Sequence, residues 1–209
     1  MPVNMRPATE VFSEWAEKGK DMGMEHGHAP AVGEILAAAI AELDCDTFHA
    51  IDAGCGNGWV VRRLTSMKDC QSAIGIDGAE AMIERAKEID SEGTYIHADL
   101  GSWQPKNPAD LIHSMEVLYY LEDIPQFLES VNQYWLLKGG IFAFGIDHYL
   151  ENENCHDWSE KVGTKMAMHS ELEWREMVQN AGFEIVKMFR AAPRKDWVGT
   201  LAIVARKRN

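Results

Sequence analysis

The stretch IDAGCGNG, residues 51–58, decides how the rest of this sequence is interpreted. It ends an apolar segment, residues 48–53, that predicts a strand, and it precedes a helix predicted over residues 59–66. Glycine lets the chain turn sharply and brings the backbone close to a ligand. The next helix adds free N–H groups and the positive end of its dipole. This order of strand, glycine-rich turn and helix predicts a ligand-binding turn.

Strands and helices alternate on both sides of this turn. Upstream, helices are predicted over residues 9–18 and 30–43, and a loop rich in Gly, His and Met over 19–29. Residues 138–140 predict a helix stop and turn, and residues 149–169 an irregular segment. The strands predicted downstream are 72–77, 94–98, 110–115, 141–147, 183–189 and 198–205. The helices predicted downstream are 79–88, 124–137 and a last helix that ends at Ala181. The capping box of Ser170 and Glu173 marks the start of this last helix.

The alternation predicts an α/β fold, with a Rossmann-like, doubly wound sheet of seven strands and helices on both faces. The sheet is expected to be mostly parallel with an antiparallel C-terminal strand, because no helix separates the last two strands. We expect residues 1–46 to form N-terminal helices and a lid, and residues 47–209 to form the ligand-binding domain. Together they suit one globular domain.

The net charge of −13 over 209 residues limits the partners of this protein. Nucleic-acid binding needs a basic stripe, and the basic groups at 194–195 and 206–208 are interpreted as a turn and a solvated end. We therefore expect no nucleic-acid partner, although a local patch can differ from the net charge. We also expect no membrane segment, because the apolar run 35–41 stops at Glu42, and no secretory signal in residues 1–10.

The cysteines Cys45, Cys55, Cys70 and Cys155 show no CxxC spacing. This scatter argues against a structural zinc site and against a disulfide framework. Reduced cysteines fit a cytoplasmic protein, which is the expected location.

The glycine spacing is G-x-G-x-G, which differs from the G-x-G-x-x-G of dinucleotide-binding turns and argues against a nicotinamide dehydrogenase. Led by Asp52, the pattern resembles the first motif of class I S-adenosylmethionine-dependent methyltransferases. The resemblance implies a doubly wound sheet and S-adenosyl-L-methionine as cofactor. It also implies that the cofactor is bound by Asp52, Gly54, Cys55, Gly56, Asn57 and Gly58.

Three later segments extend the resemblance. Asp77 ends the second strand, 19 residues after Gly58 (77 − 58). The resemblance implies that Asp77, with Gly78 beside it, accepts hydrogen bonds from the ribose hydroxyls of the cofactor. The alternative for Asp77 is a helix N-cap, and both roles can hold. The resemblance implies that Asp99 meets the adenine amino group, with a solvated loop carboxylate as the alternative. Its neighbour Leu100 would pack on the ring.

The exit of the fourth strand would lie beside the sulfonium and the amino-acid part of the cofactor, through Ser114, Met115 and Glu116. Residues 137–140 resemble the turn before strand five, so the resemblance spans residues 51–147. It is closest to the small-molecule branch of the superfamily. The segment 114–117 lacks an Asn-Pro-Pro-aromatic motif, which counts against methylation of adenine or glutamine.

Two residues beyond the strand ends are candidates for catalysis. His148 is the candidate general base for a hydroxyl, thiol or protonated amine, and the alternative is a hydrogen-bonded loop histidine. Tyr119 would orient the nucleophile, or it packs. A metal site from His26 and His28 with other residues lacks a convincing fourth ligand, so no metal is predicted.

Residues 9–28 are predicted to form a mobile lid. Gly19, Gly23 and Gly27 allow this segment to bend, and Trp15 would shield the sulfonium region as part of the cofactor site. The alternative is an ordinary helix that caps the sheet.

The expected activity is methyl transfer from S-adenosylmethionine to N, O or S of a small-molecule acceptor by in-line displacement. The alternatives are a methyltransferase of RNA or protein, which the acidic charge disfavours, and a non-catalytic S-adenosylmethionine-binding module. The expected state is a monomer or homodimer without a nucleic-acid or membrane partner.

Overall fold

The computed structural model describes residues 5–208 and has a seven-stranded sheet at its centre. The predicted domain ranges 1–46 and 47–209 include residues 1–4 and residue 209, which lie outside the described residues, and this division stays a prediction. The helices are α1 (Ala8–Glu17), α2 (Asp21–Ile40), α3 (Trp59–Thr65), α4 (Glu80–Ile89), α5 (Ile124–Ser130), α6 (Trp158–Val162) and α7 (Glu171–Asn180). The strands are β1 (Phe48–Ala53), β2 (Cys70–Asp77), β3 (Thr94–His97), β4 (Ala109–Met115), β5 (Leu136–Ile146), β6 (Phe183–Ala191) and β7 (Thr200–Lys207).

The strand order in the sheet is β3-β2-β1-β4-β5-β7-β6. The strands from β3 to β5 pair in parallel, whereas β7 is antiparallel to both of its neighbours. The chain moves outward from β1 to β3 and then returns to β4 on the other side of β1. A crevice therefore opens beyond the carboxyl ends of β1 and β4. This topology confirms the predicted Rossmann-like sheet.

Helices cover both faces of the sheet, as predicted. On one face, the buried side chains Val32, Ile35 and Leu36 of α2 belong to the same apolar cluster as Leu111 of β4 and Val204 of β7. The opposite cluster joins α5, α7 and the wide helical turn Val131–Trp135 to the sheet, through Phe127, Trp135, Phe142, Phe144 and Trp174. None of the described helices has the length and apolarity needed to cross a membrane.

The loop predicted over residues 19–29 is wrong, because α2 begins at Asp21 and includes Pro30 in its interior. Asp21 is buried, and its carboxylate accepts a hydrogen bond from Nδ2 of Asn57 at 2.9 Å. This contact holds the first turn of α2 against the glycine-rich turn. A tertiary contact of this kind outweighs the low helix propensity of Gly23 and Gly27.

Some predicted boundaries also move around β5. The predicted helix 124–137 ends as an α-helix at Ser130, and β5 begins at Leu136. The predicted turn at residues 138–140 lies inside β5 as an irregularity, since the pairing with β4 advances from Leu136 directly to Ile141. The segment predicted to be irregular contains the short helix α6.

Candidate active site

A cavity of about 1130 Å³ opens at the carboxyl ends of β1, β2 and β4. It is bounded by the glycine-rich turn, by α1 and the first part of α2, and by α6. Of the predicted site residues, Gly58, Ser114 and His148 do not line it. Those that do are Trp15, Asp52, Gly54, Cys55, Gly56, Asn57, Asp77, Gly78, Asp99, Leu100, Met115, Glu116 and Tyr119.

The glycine-rich turn needs glycine for two physical reasons. Gly54 has a φ of +79°, and a Cβ there would lie 2.1 Å from Cγ2 of Val117. Gly58 has a φ of +78° and stands where a Cβ would meet the ring of Tyr95 at 2.3 Å. Gly54 lines the cavity and packs against Val117, whereas Gly58 precedes α3 and packs against Tyr95.

Asp77 joins two turns at the edge of the cavity. Its Oδ2 accepts a hydrogen bond from the Gly56 amide, and its Oδ1 accepts one from the Ala79 amide, both at 2.8 Å. Burial raises the pKa of this carboxyl, while the two amides oppose the shift. The residue thus holds the start of α4 and still lines the cavity.

The floor of the site is fixed by polar contacts between β1 and β4. Nδ1 of His113 donates to Oδ1 of Asp52 at 2.7 Å, and both side chains are buried. The hydroxyl of Ser114 donates to the Ala53 carbonyl at 2.8 Å. Ser114 therefore links the two strands, and the structure does not place it at the cofactor position that the sequence predicted.

Asp99 and Leu100 form the side wall of the cavity nearest β3. Asp99 accepts hydrogen bonds from the Ser102 hydroxyl at 2.7 Å and from the Gly101 amide at 3.3 Å. Leu100 is buried and presents an apolar side chain to the same wall. This wall therefore combines one carboxylate with one aliphatic side chain.

Glu116 begins the loop after β4 in a strained conformation, with a φ of +61°. Its Oε2 accepts the Tyr119 hydroxyl at 2.6 Å, and its Oε1 accepts the backbone N–H of Asp147. Burial, reinforced by the Asp147 charge, raises its pKa well above the ordinary value. Non-glycine residues with positive φ concentrate at functional sites, where the surrounding structure holds the strain.

Asp147 and His28 complete a polar cluster with Glu116. One ligand atom from each of the three side chains lies within 4.8 Å of the others, and Nε2 of His28 is 4.0 Å from Oδ2 of Asp147. Burial raises the pKa of Asp147 to about 6 and lowers the pKa of His28. The three groups are of the types that hold a metal ion. Asp147 was not among the predicted site residues, although it lies at a strand end as Asp77 and Glu116 do.

His148 is 1% exposed and lies behind Tyr119, with 5.3 Å between the ring centroids. Its other aromatic neighbour is Trp158, at 6.5 Å. Burial lowers the pKa of the imidazole. The structure therefore does not place the predicted general base at the cavity surface, while Tyr119 does reach it.

The N-terminal helices cover the cavity. Phe12 of α1 makes edge-to-face contacts with Trp15 and with Tyr120, at centroid distances of 5.4 Å and 5.2 Å. All three aromatic side chains line the cavity. Carboxylates predominate among its charged side chains: Asp21, Glu25, Asp52, Asp77, Asp99, Glu116, Glu122 and Asp123, against Lys20 and Lys161.

The family model described as a methyltransferase domain matches residues 6–188 of the chain. The chain belongs to the S-adenosylmethionine-dependent class I methyltransferases. Trans-aconitate 2-methyltransferase of Rhizobium etli is 34% identical over 95 residues, which are 46% of this chain and 37% of that protein. The methyltransferase thus spans well under two thirds of the length of this curated relative.

Solved structures give the same fold. The methyltransferase resembles a chain of the complex that contains the Haloferax volcanii Trm112 methyltransferase activator, with 25% identity, a TM-score of 0.84 and coverage of 98% of this chain and 100% of that one. N-methyltransferase NodS from Bradyrhizobium japonicum, solved with S-adenosyl-l-homocysteine, is 18% identical with a TM-score of 0.66 and 85% coverage of each chain. The second likeness supports the fold alone.

The cavity fits S-adenosylmethionine, which is the cofactor of this family. Gly56 leaves open backbone at the cavity where a ligand can approach, since the nearest atom to a Cβ there would be Sδ of Met82 at 4.0 Å. Asp21 is buried at the cavity wall, and its Oδ1 has no hydrogen-bond partner among residues 5–208. A polar ligand group would satisfy this atom, because a buried acceptor without a partner is costly.

Proposed function

We propose that this methyltransferase transfers the methyl group of S-adenosylmethionine to N, O or S of a small-molecule acceptor. One observation carries the proposal: a single cavity encloses both the glycine-rich turn and the group formed by Glu116 and Tyr119. Its volume of about 1130 Å³ exceeds what one drug-sized ligand fills, which leaves room for an acceptor beside the cofactor.

The residues that line the cavity are assigned to two different parts of the cofactor. Asp77, Asp99 and Leu100 are assigned to the adenosine part, whereas Asp52, Gly54 and Met115 are assigned to the methionine part. When bound, the cofactor supplies an electrophilic methyl carbon on a sulfonium sulfur. Methyl transfer then requires alignment of the nucleophile about 3–3.5 Å from that carbon, together with exclusion of water.

The acceptor end is assigned to the side chains after β4 and β5. The Tyr119 hydroxyl, fixed by Glu116 at 2.6 Å, orients the nucleophile. Asp147 lies behind this pair and does not line the cavity itself, and burial raises its pKa to about 6. His148 supports the ring of Tyr119 from behind.

The predicted lid, residues 9–28, is largely helical in the structure, and we propose that it closes over the cavity. Phe12 and Trp15 close the cavity over the reacting atoms, and Gly19, with a φ of +68°, forms the turn between α1 and α2. Protease should cut this turn in the free protein, and S-adenosylhomocysteine should suppress the cleavage. Equal cleavage rates with and without ligand would show that the cover is a fixed cap.

The net charge and the free cysteines support the proposed class of acceptor and the proposed location. A net charge of −13 disfavours nucleic acid as acceptor. Cys45, Cys55, Cys70 and Cys155 are all free thiols, which supports a cytoplasmic location. A monomer or homodimer is proposed as the working state.

The proposal is tested by calorimetry and by transfer of labelled methyl groups. We expect S-adenosylhomocysteine to bind in the micromolar range and NAD not to bind. Labelled S-adenosylmethionine should then methylate a component of a small-metabolite pool. Binding of NAD in place of S-adenosylhomocysteine would refute the cofactor assignment, and cofactor binding without transfer to any pool would favour a non-catalytic binding module.

A further inference from the structure

We infer that His113 is a positioning residue for the cofactor, because it holds the carboxylate of Asp52 in the orientation that receives the ammonium group of the methionine part. His113 does not line the cavity itself, so it acts through Asp52, which does. This inference rests on the proposed function, which assigns Asp52 to the methionine part, and it adds a residue that touches no ligand.

The pairing of β1 with β4 places the two side chains next to each other. Asp52 and His113 are partners in the parallel register of these strands. Nδ1 of His113 donates to Oδ1 of Asp52 at 2.7 Å, a short distance that is typical of a hydrogen bond to a charged acceptor. One carboxylate oxygen is thereby fixed against β4, and the other, Oδ2, is left for a ligand in the cavity that Asp52 lines.

Burial makes this histidine costly unless its hydrogen bond to Asp52 has a function. The ring is fully buried, and its Nε2 has no hydrogen-bond partner among residues 5–208. A buried polar atom without a partner costs stability, and an apolar side chain would avoid that cost. Leu111 and Ile112, which precede His113 on β4, are buried apolar residues of this kind. A histidine at this position therefore loses stability in return for its contact with Asp52.

A structural link between the two strands does not account for His113. The backbone pairing of β1 with β4 already joins them from Ala50 to Asp52. The Ser114 hydroxyl adds a second link, since it donates to the Ala53 carbonyl at 2.8 Å. What the bond from His113 adds is a fixed direction for one carboxylate at the cavity. A binding group that is held in place before the ligand arrives loses less freedom on binding, which strengthens the complex.

The charge at this end of the cavity supports a cationic ligand group beside Asp52. Burial raises the pKa of Asp77, and the Asp52 charge adds to this shift. The two carboxylates therefore act on each other, and both line the cavity. The ammonium group of the methionine part would offset their repulsion, because a nearby cation favours the charged form of a carboxylate. By fixing Oδ1, His113 keeps Asp52 from rotating away from this position.

The test compares the affinities of the full chain for S-adenosylhomocysteine and for 5′-methylthioadenosine by calorimetry. The second compound has the adenosine part and the sulfur but no amino-acid part, so it lacks the ammonium group. His113→Leu removes the donor, whereas His113→Asn keeps one, because the side-chain amide can take the place of Nδ1. Ser114→Ala is the matched control, since Ser114 is the next residue on β4, is also buried and links the same two strands.

We expect His113→Leu to weaken S-adenosylhomocysteine at least fivefold and to leave the affinity for 5′-methylthioadenosine within twofold, which also shows that the variant is folded. His113→Asn should recover most of the loss, and Ser114→Ala should leave the ratio of the two affinities unchanged. A smaller loss, an equal loss for both compounds, or the same change of ratio in Ser114→Ala would overturn the inference. If thermal unfolding shows that His113→Leu does not fold, His113→Val takes its place.

A double-mutant cycle tests whether His113 acts through Asp52. Asp52→Asn should weaken S-adenosylhomocysteine at least as much as His113→Leu does, and combining the two changes should cause less than a twofold further loss. A larger further loss would show that His113 acts by another route and would also overturn the inference. Failure of the wild type to bind S-adenosylhomocysteine would instead refute the proposed function itself, so the two failures are distinguishable.

Discussion

The two ends of the cavity are built in different ways. The end proposed to bind the cofactor comes from a short stretch of chain, where Gly54 and Gly56 line the cavity and Asp77 accepts a hydrogen bond from the Gly56 amide. The end proposed to bind the acceptor adjoins a polar cluster from distant segments, because His28 lies on α2, Glu116 follows β4 and Asp147 follows β5. The first end depends on backbone shape, whereas the second depends on charge and burial.

Because of this difference, the two ends should tolerate different amino-acid substitutions. A tight turn is disrupted when an added Cβ meets a packed β-branched side chain, as Val117 is at Gly54. A cluster of buried carboxylates can lose a charge and gain stability, because the folded state then no longer bears the desolvation of that charge. The four predictions below separate the two ends by these responses.

The largest effect is expected from Gly54→Ala. The new Cβ would meet Val117 at 2.1 Å and would adopt a φ of +79°. The clash and the strain together cost about 2–5 kcal/mol, and we expect S-adenosylhomocysteine affinity to fall at least 30-fold by calorimetry. Gly163→Ala is the matched control, since Gly163 has a φ of +76° with no atom within 4 Å of a new Cβ. Equal loss in both variants would show that strain alone, and not the close approach, decides the effect.

Asp147→Asn should stabilise the protein in a pH-dependent manner. The pKa of Asp147 is raised to about 6, so its ionisation opposes folding at high pH and not below its unfolded pKa of about 3.8. Glu116, His28 and the Thr200 hydroxyl face this carboxyl. We expect a gain of about 2–3 kcal/mol in the free energy of unfolding at pH 8 and almost none at pH 4, measured by denaturant titration. A gain that does not change with pH would exclude charge burial as its cause.

Asp77→Ala should weaken S-adenosylhomocysteine binding by about 1–3 kcal/mol, because it removes hydrogen bonds to a charged group. This loss of affinity should be measured by calorimetry at pH 8. The variant should keep the pH dependence of stability that is caused by Asp147. An unchanged affinity would show that Asp77 acts only by holding the Gly56 and Ala79 amides.

The smallest effect is expected from Asp99→Asn. One charged acceptor becomes a neutral one that keeps its contacts with Ser102 and Gly101, so S-adenosylhomocysteine affinity should fall by about 0.5–1.5 kcal/mol. The affinity for adenosine should fall by the same factor if the adenine end is affected. Identical constants for wild type and variant would favour the alternative of a solvated loop carboxylate.

The cofactor end was largely predictable because its signals are local. Gly54, Gly56 and Asp77 lie at fixed distances along the chain from predicted strand ends, and the structure places all three at the cavity. The capping box of Ser170 and Glu173 was likewise confirmed, since its two hydrogen bonds span only three residues. Ser114 lies outside the cavity lining, and its hydroxyl is used in the hydrogen bond to the Ala53 carbonyl of β1.

The acceptor end could not be predicted in the same way. Its predicted base, His148, is buried behind Tyr119, and its neighbour Asp147 joins the carboxylate cluster instead. Neighbouring residues after a strand point in different directions, and which one reaches a cavity depends on the loop that follows. The helical form of residues 21–29 was missed because the contact between Asp21 and Asn57 is 36 residues apart in sequence.

By itself, the sequence determined the alternation of strands and helices and the glycine-rich turn, because both follow from short-range periodicity and spacing. The class of cofactor followed from the resemblance of these motifs to a known family. Only the tertiary structure decided which charges meet. The approach of His28, Glu116 and Asp147 within 4.8 Å arises from three elements packed at one sheet edge. Burial and mutual distance set the pKa and the ligand preference of such groups, and both quantities exist only once the chain has folded.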